Sequence, residues 1–255
     1  MSELETPAVR AVGVRVSYGE TRALDGVDLE VAPGRVHGLI GMNGSGKSTL
    51  FKALMGLVRT EAGSIEIFGE DPVRSRKELR IAYTPQTEDV DWDFPISVTD
   101  VVAMGRYGQM GWRRRSTGRD REAVSAALDR CELADLADRQ IGALSGGQRK
   151  RAFVARGLAQ GADLLLLDEP FAGVDKRSEA MITGLLRELS EEGKTVLVST
   201  HDLVAVPALC DEVALINRQV IAHGPPEETL TPDLLAQAFG GFVPREALRP
   251  EEAVA

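Results

Sequence analysis

The chain has 255 residues, 43% hydrophobic and 27% charged, with a net charge of −9. Those proportions provide a sizeable core and argue against disorder throughout, and the acidic balance argues against a nucleic-acid binder resting on a basic face. No run of about 18 apolar residues encodes a membrane span, Cys131 and Cys210 are too few for a disulfide framework, and Met1 to Glu5 lacks the basic-then-apolar pattern of a secretory signal; together these point to the cytoplasm.

The elements follow in order. Ala11 to Val16 alternates apolar and polar residues, which predicts a half-buried strand, and Tyr18-Gly19 reads as a turn. Leu24 to Val31 predicts a second strand, closed by Pro33-Gly34. His37 to Ile40 is a short apolar strand that runs into glycines. From Ser48 the spacing turns helical, with Leu50, Ala53, Leu54 and Leu57 on one face. Ser64 to Gly69 is a further strand and turn. Pro95 to Leu136 reads as mostly helices joined by a basic loop at Trp112 to Arg115. Strand character returns at Asp163 to Asp168 and at Lys194 to Ser199. Asp211 to Ile216 and Gln219 to Ala222 predict a terminal hairpin, and the tail after Gly241 is expected to fray. The reading is an α/β unit enclosing a helical insert.

Two motifs carry chemistry. Gly41-Met42-Asn43-Gly44-Ser45-Gly46-Lys47-Ser48, followed by Thr49, matches the phosphate loop G-x-x-x-x-G-K-[ST] between a strand and a helix. Its glycines let the backbone curl so that N–H groups point at phosphate oxygens, and the helix adds its dipole. Lys47 is expected on the β- and γ-phosphates and Ser48 on Mg²⁺. Leu164 to Leu167 leads into Asp168 and Glu169. Asp168 at the strand end suits a water shell around Mg²⁺, and Glu169 suits polarising an attacking water.

Leu144-Ser145-Gly146-Gly147-Gln148 precedes Asp168 by a helix's length. Alone, it reads equally as an N-cap at Ser145 or as a phosphate contact. With both nucleotide motifs it resembles the signature of ATP-binding cassette (ABC) ATPases, a resemblance that covers about Val9 to Gly240. The resemblance implies an α/β P-loop NTPase fold: a mostly parallel core sheet, an N-terminal antiparallel β part and a helical subdomain at about 90–160, with 241–255 a flexible tail. It implies ATP and Mg²⁺ as ligands. Tyr18 resembles the aromatic that stacks on adenine. Gln86 resembles the glutamine that senses Mg²⁺ and the γ-phosphate. Ser145, Gly146, Gly147 and Gln148 resemble the segment that contacts ATP held by a second subunit. Asp175, in Gly173-Val174-Asp175, resembles the aspartate that couples the two sites, and His201 the histidine that contacts the γ-phosphate.

The implied partners are a second ATPase subunit forming a homodimer, an integral-membrane permease and, indirectly, an extracytoplasmic metal-binding protein. The implied place is the cytoplasmic face of the membrane. Asp89 to Tyr107 resembles the manganese- and zinc-uptake ATPases. Trp92 and Phe94 there read either as a partner-facing groove or as core. Trp112 to Arg115 reads as a solvated loop, or else as a contact with lipid or permease. Energising the uptake of manganese, zinc or iron is the implied function; chelate import, for siderophores or cobalamin, and iron–sulfur cluster assembly are the alternatives. A chromosome-maintenance ATPase needs a long coiled coil that is missing between Lys47 and Asp168, and a translation-factor ATPase would carry two cassettes. His37 and His223 show no metal partner at useful spacing and read as structural.

Overall fold

The alternation at Ala11 to Val16 belongs to a longer strand, β1 (Val9–Tyr18), in a computed structural model that describes residues 6–86 and 94–241. Trp92 and the tail from 242 lie outside the described residues. β1 pairs antiparallel with β2 (Thr21–Val31) and β4 (Ala62–Ile67). β3 (Val36–Ile40) enters a different, six-stranded sheet. There it lies between β7 (Thr195–Thr200) and β8 (Glu212–Ile216), parallel to both. β6 (Leu164–Asp168) lies between β7 and β5 (Ile81–Thr84), again parallel. Only the edge strand β9 (Val220–Gly224) runs antiparallel, against β8. No helix among the described residues is long and apolar enough to cross a membrane.

A parallel strand buried on both faces needs a continuous apolar run, and Leu164 to Leu167 supplies one. Its side chains divide by period two. Leu165 and Leu167 join a core shared with the large helices, with Val196 and Val198 of β7 beside them. Leu164 and Leu166 face the opposite way, with Leu39 and Leu197, into a core closed by the small antiparallel sheet and by α1 (Lys47–Leu54). Phe51 of α1 is fully buried there, edge-on to Tyr83 at 6.1 Å between ring centroids. Phe51→Ala is expected to cost about 3–5 kcal/mol of unfolding free energy through lost transfer energy and the cavity left behind; a denaturant titration with an unchanged slope checks it.

Leu57 corrects the expected helical face. α1 stops at Leu54, and Leu57 is 54% exposed. Gly56 turns left-handed, φ 60°, and the Gly56 and Leu57 amides bond back to the carbonyls of Ala53 and Lys52. That is a glycine-terminated helix end, and it swings Leu57 outward.

A short helix, α2 (Pro72–Lys77), follows β4 and is capped by Asp71. In the middle of the chain, α3 (Val98–Ala103) and α4 (Gly118–Arg130) pack on α5 (Gly146–Gln160). A buried polar knot ties them. Arg106 donates to Asp120 at 3.0 Å and to the Ala159 carbonyl at 2.9 Å. Asp120 also closes a capping box with Thr117 at the start of α4. The Thr117 hydroxyl, aided by its amide and by Arg106, holds the Asp120 carboxyl down to about 2. Both cysteines are buried free thiols, and burial pushes each up to about 12, which keeps them inert. The basic loop stands out from this packing: Trp112 is 88% exposed, with Arg113 stacked on its ring. Phe94 is 59% exposed, so it is not core.

Candidate functional site

In a parallel sheet the strand carboxyl ends converge on one edge, where α/β proteins place ligands. Here that edge carries the loop after β3, Gln86 after β5, Glu169 after β6 and His201 after β7. Pairing of Ile40 with Thr200 and of Asp168 with Ser199 brings these ends level.

The loop after β3 is a cradle built for close approach. Gly46 sits at φ 104° as the N-cap of α1, with no side-chain cap, so the first amides of α1 are left open to a ligand. A Cβ on Gly46 would meet the Ala23 carbonyl at 2.7 Å, and one on Gly41 would strike the Ile216 carbonyl and the Ser45 hydroxyl. Ser45 Oγ is buried with no hydrogen-bond partner. Lys47 Nζ donates to the carbonyls of Gly41 at 2.6 Å and Met42 at 3.1 Å, and lies 3.5 Å from Glu169 Oε1.

Glu169 is held in a strained left-handed conformation, φ 52°, a strain of about 1–3 kcal/mol that recurs at functional positions. Its amide donates to the Ser199 carbonyl and hydroxyl, at 3.1 and 3.0 Å. Its Oε2 lies 2.8 Å from His201 Nδ1, whereas Oε1 is buried without a hydrogen bond. Asp168, beside it, is 2% exposed and accepts a short hydrogen bond from the Ser199 hydroxyl.

A cavity of about 350 Å³ opens over the cradle. It gathers the expected Tyr18, Met42, Asn43, Gly44, Gly46, Lys47, Ser48, Thr49, Gln86 and Glu169. Gly41, Ser45, Asp168 and His201 do not line the cavity, and His201 reaches it only through its contact with Glu169. Arg22 and Arg218 line it too, and sequence reasoning missed both. Arg218 belongs to the β8–β9 turn, and its amide donates to the Ser45 carbonyl at 2.7 Å. No local motif marks it; its left-handed φ of 60° shows only in the fold.

Ser145, Gly146, Gly147 and Gln148 are absent from this cavity's lining. Ser145 caps α5 in a capping box with Gln148, so the N-cap reading holds locally. Gly147 packs against the next loop, where a Cβ would meet Asp175 Oδ2 and Ser178 Oγ, each at 2.8 Å. Asp175 in turn caps α6 (Lys176–Glu191), and its bonds from Ser178 hold its carboxyl below the usual range.

His37 and His223, read from sequence as structural and without a metal partner at useful spacing, turn out to share a carboxylate neighbour. The fold brings both against Glu212, with one ligand atom from each within 4.8 Å of the others. Spacing along the chain gave no hint, because β3 and β8 become neighbours only through the parallel sheet.

Strand, glycine cradle, helix and an inward lysine define a P-loop nucleotide-binding protein. A family model described as ABC transporter matches residues 24–172, more than half of the chain. The chain is 48% identical over 231 residues to the manganese transport system ATP-binding protein of Synechocystis sp., covering 90% of this chain and 89% of that one. It is 49% identical over 239 residues to the chelated iron transport system membrane protein of Yersinia pestis, covering 93% and 80%. A solved inward-facing putative metal-chelate type ABC transporter overlays with a TM-score of 0.81 at 28% identity, covering 92% of this chain and 89% of that one. The chain belongs to the ABC transporter family, as one of its ATPase domains.

Proposed function

We propose that this chain hydrolyses ATP for a membrane importer of a transition metal ion: manganese first, with zinc or iron as other cargoes. The observation that carries the hydrolytic part is the Glu169 carboxylate. One oxygen is braced by His201 at 2.8 Å, and the other is buried without a hydrogen bond, 3.5 Å from Lys47, at the cavity wall. Lys47 and the open amides of the cradle hold the phosphates. Glu169 Oε1 takes a proton from water as the water attacks the γ-phosphorus, and ADP departs with the β-phosphate oxygen. His201 orients that carboxylate. Ser48, Asp168 and Gln86 are oxygen donors of the type that suits Mg²⁺, which when bound neutralises developing phosphate charge.

Two copies act together. The Ser145–Gln148 segment does not line its own chain's cavity, so the γ-phosphate is bridged by the segment of a second copy. Loss of that phosphate removes the shared contacts and opens the pair. A permease carries the membrane span, keeps this chain at the cytoplasmic face and receives cargo from an extracytoplasmic binding protein. Phe94, exposed beside α3, supports a permease-facing role for that region. The names of the Synechocystis and Yersinia relatives support the metal cargo.

The chelated iron system of the Yersinia relative and the metal-chelate class of the overlaid structure favour chelate import as the second reading. Metal accumulation in a deletion strain separates the two. The first predicts reduced manganese, restored by the wild-type gene but not by Glu169→Gln. Unchanged manganese and zinc with lost siderophore or cobalamin uptake would replace it with the second.

A further inference from the structure

His37, Glu212 and His223 meet at the end of the sheet opposite the nucleotide cavity. His37 lies near the start of β3, and Glu212 opens β8 as its register partner. His223 lies on β9, opposite Ala214. Glu212 Oε2 is 3.5 Å from His37 Nδ1 and 3.4 Å from His223 Nε2. Both distances exceed ordinary hydrogen-bond lengths of about 2.7–3.2 Å. They match the spacing of about 3.3 Å between two ligands of one tetrahedral ion at bond lengths of about 2.0–2.1 Å.

The surroundings orient all three groups. His37 is 2% exposed, and its Nδ1 is buried with no hydrogen-bond partner. Its Nε2 faces the Ala32 carbonyl at 2.9 Å, which leaves the Nδ1 lone pair turned toward Glu212. Burial holds this imidazole's pKa below its ordinary value. Arg35 occupies the other Glu212 oxygen at 2.8 Å, leaving Oε2 for the cluster. His223 is partly exposed and supplies the path from solvent. A buried imidazole nitrogen without a partner is costly, and an ion shared by the three side chains removes that cost.

We propose that His37 Nδ1, Glu212 Oε2 and His223 Nε2 bind one divalent transition-metal ion of the zinc or cobalt class. Two imidazoles and a carboxylate suit such ions and leave a coordination position open. The ion would clamp β3, which delivers the phosphate loop, to the β8–β9 hairpin, whose turn bonds Ser45. The proposal does not depend on the transporter's cargo, since it rests on three side chains of the cassette itself.

The test is equilibrium dialysis of the full, chelator-stripped chain against Co²⁺ and Zn²⁺ in excess Mg²⁺ without nucleotide. Wild type is expected to retain one equivalent per chain, with intense tetrahedral Co²⁺ absorption bands. His223→Ala and Glu212→Gln should each weaken retention at least roughly tenfold. His201→Ala, which removes the chain's remaining histidine, should keep both the equivalent and the bands. Circular dichroism of the metal-free variants separates ligand loss from misfolding, and Glu212→Gln carries the test if His223→Ala unfolds. Wild type retaining no equivalent, or both variants retaining as much as wild type, would overturn the proposal.

Discussion

Glu169→Gln leaves nucleotide binding intact and lowers ATP turnover by roughly 10²–10⁴-fold, the range expected for removal of a general base. The substitution is nearly isosteric. It keeps the left-handed backbone at φ 52° and the amide bonds to Ser199 that hold the turn. It removes the basic oxygen that lies 3.5 Å from Lys47 and faces the cavity. The contact with His201 at 2.8 Å can persist, because an amide still offers an oxygen or an N–H to an imidazole of either tautomer. Binding and turnover therefore separate: fluorescent-nucleotide titration should give a near wild-type dissociation constant, while phosphate release falls by that factor. Turnover within twofold of wild type would remove Glu169 from the base role. His201→Ala should lie between the two, since it frees the carboxylate without deleting it.

Lys47→Met acts earlier, on binding itself. The Lys47 side chain is 6% exposed, and its ammonium donates to two carbonyls of its own loop at 2.6 and 3.1 Å. Those bonds tie the loop closed around the space a phosphate would take. Replacing the ammonium with a thioether removes a charge-assisted donor and leaves the buried Glu169 carboxylate without a nearby cation. Truncating one side of a charged lysine–phosphate pair costs about 2–5 kcal/mol, so the nucleotide should bind at least roughly 30-fold more weakly. Calorimetric titration with a non-hydrolysable analogue measures this. The thermal midpoint, compared without nucleotide, separates lost ligand contacts from a damaged loop. An unchanged affinity would remove Lys47 from the phosphate site.

What the sequence made legible follows from how local each constraint is. The phosphate loop was readable because its glycines, Lys47 and Ser48 act within one turn, although the carbonyls that exclude a Cβ at Gly41 and Gly46 come from Ile216 and Ala23, far along the chain. Leu164 to Leu167 was readable as buried, though not which leucine faced which layer. Leu57 was misread although Gly56 beside it carried the stop signal. α6 escaped notice even though Ile182, Leu185, Leu186 and Leu189 repeat at helical spacing and all are buried. β5 was seen only as the neighbourhood of Gln86, since four residues are too few for periodicity to register. Arg218 and the His37–Glu212–His223 cluster were beyond reach, because only the β3–β8–β9 register unites them. Ser145 illustrates a motif with two uses. Its hydroxyl caps α5, and under the proposed function the same helix start would offer amides to a phosphate brought by another copy.

In the proposed mechanism ATP joins two copies of the chain, each lending its Ser145–Gln148 segment to the other's phosphate cradle. Sedimentation velocity of the Glu169→Gln protein with Mg²⁺ and saturating ATP tests it most directly. The account predicts a species of twice the chain mass with ATP and a single chain with ADP. A single chain at saturating ATP, with the nucleotide demonstrably bound, would contradict it.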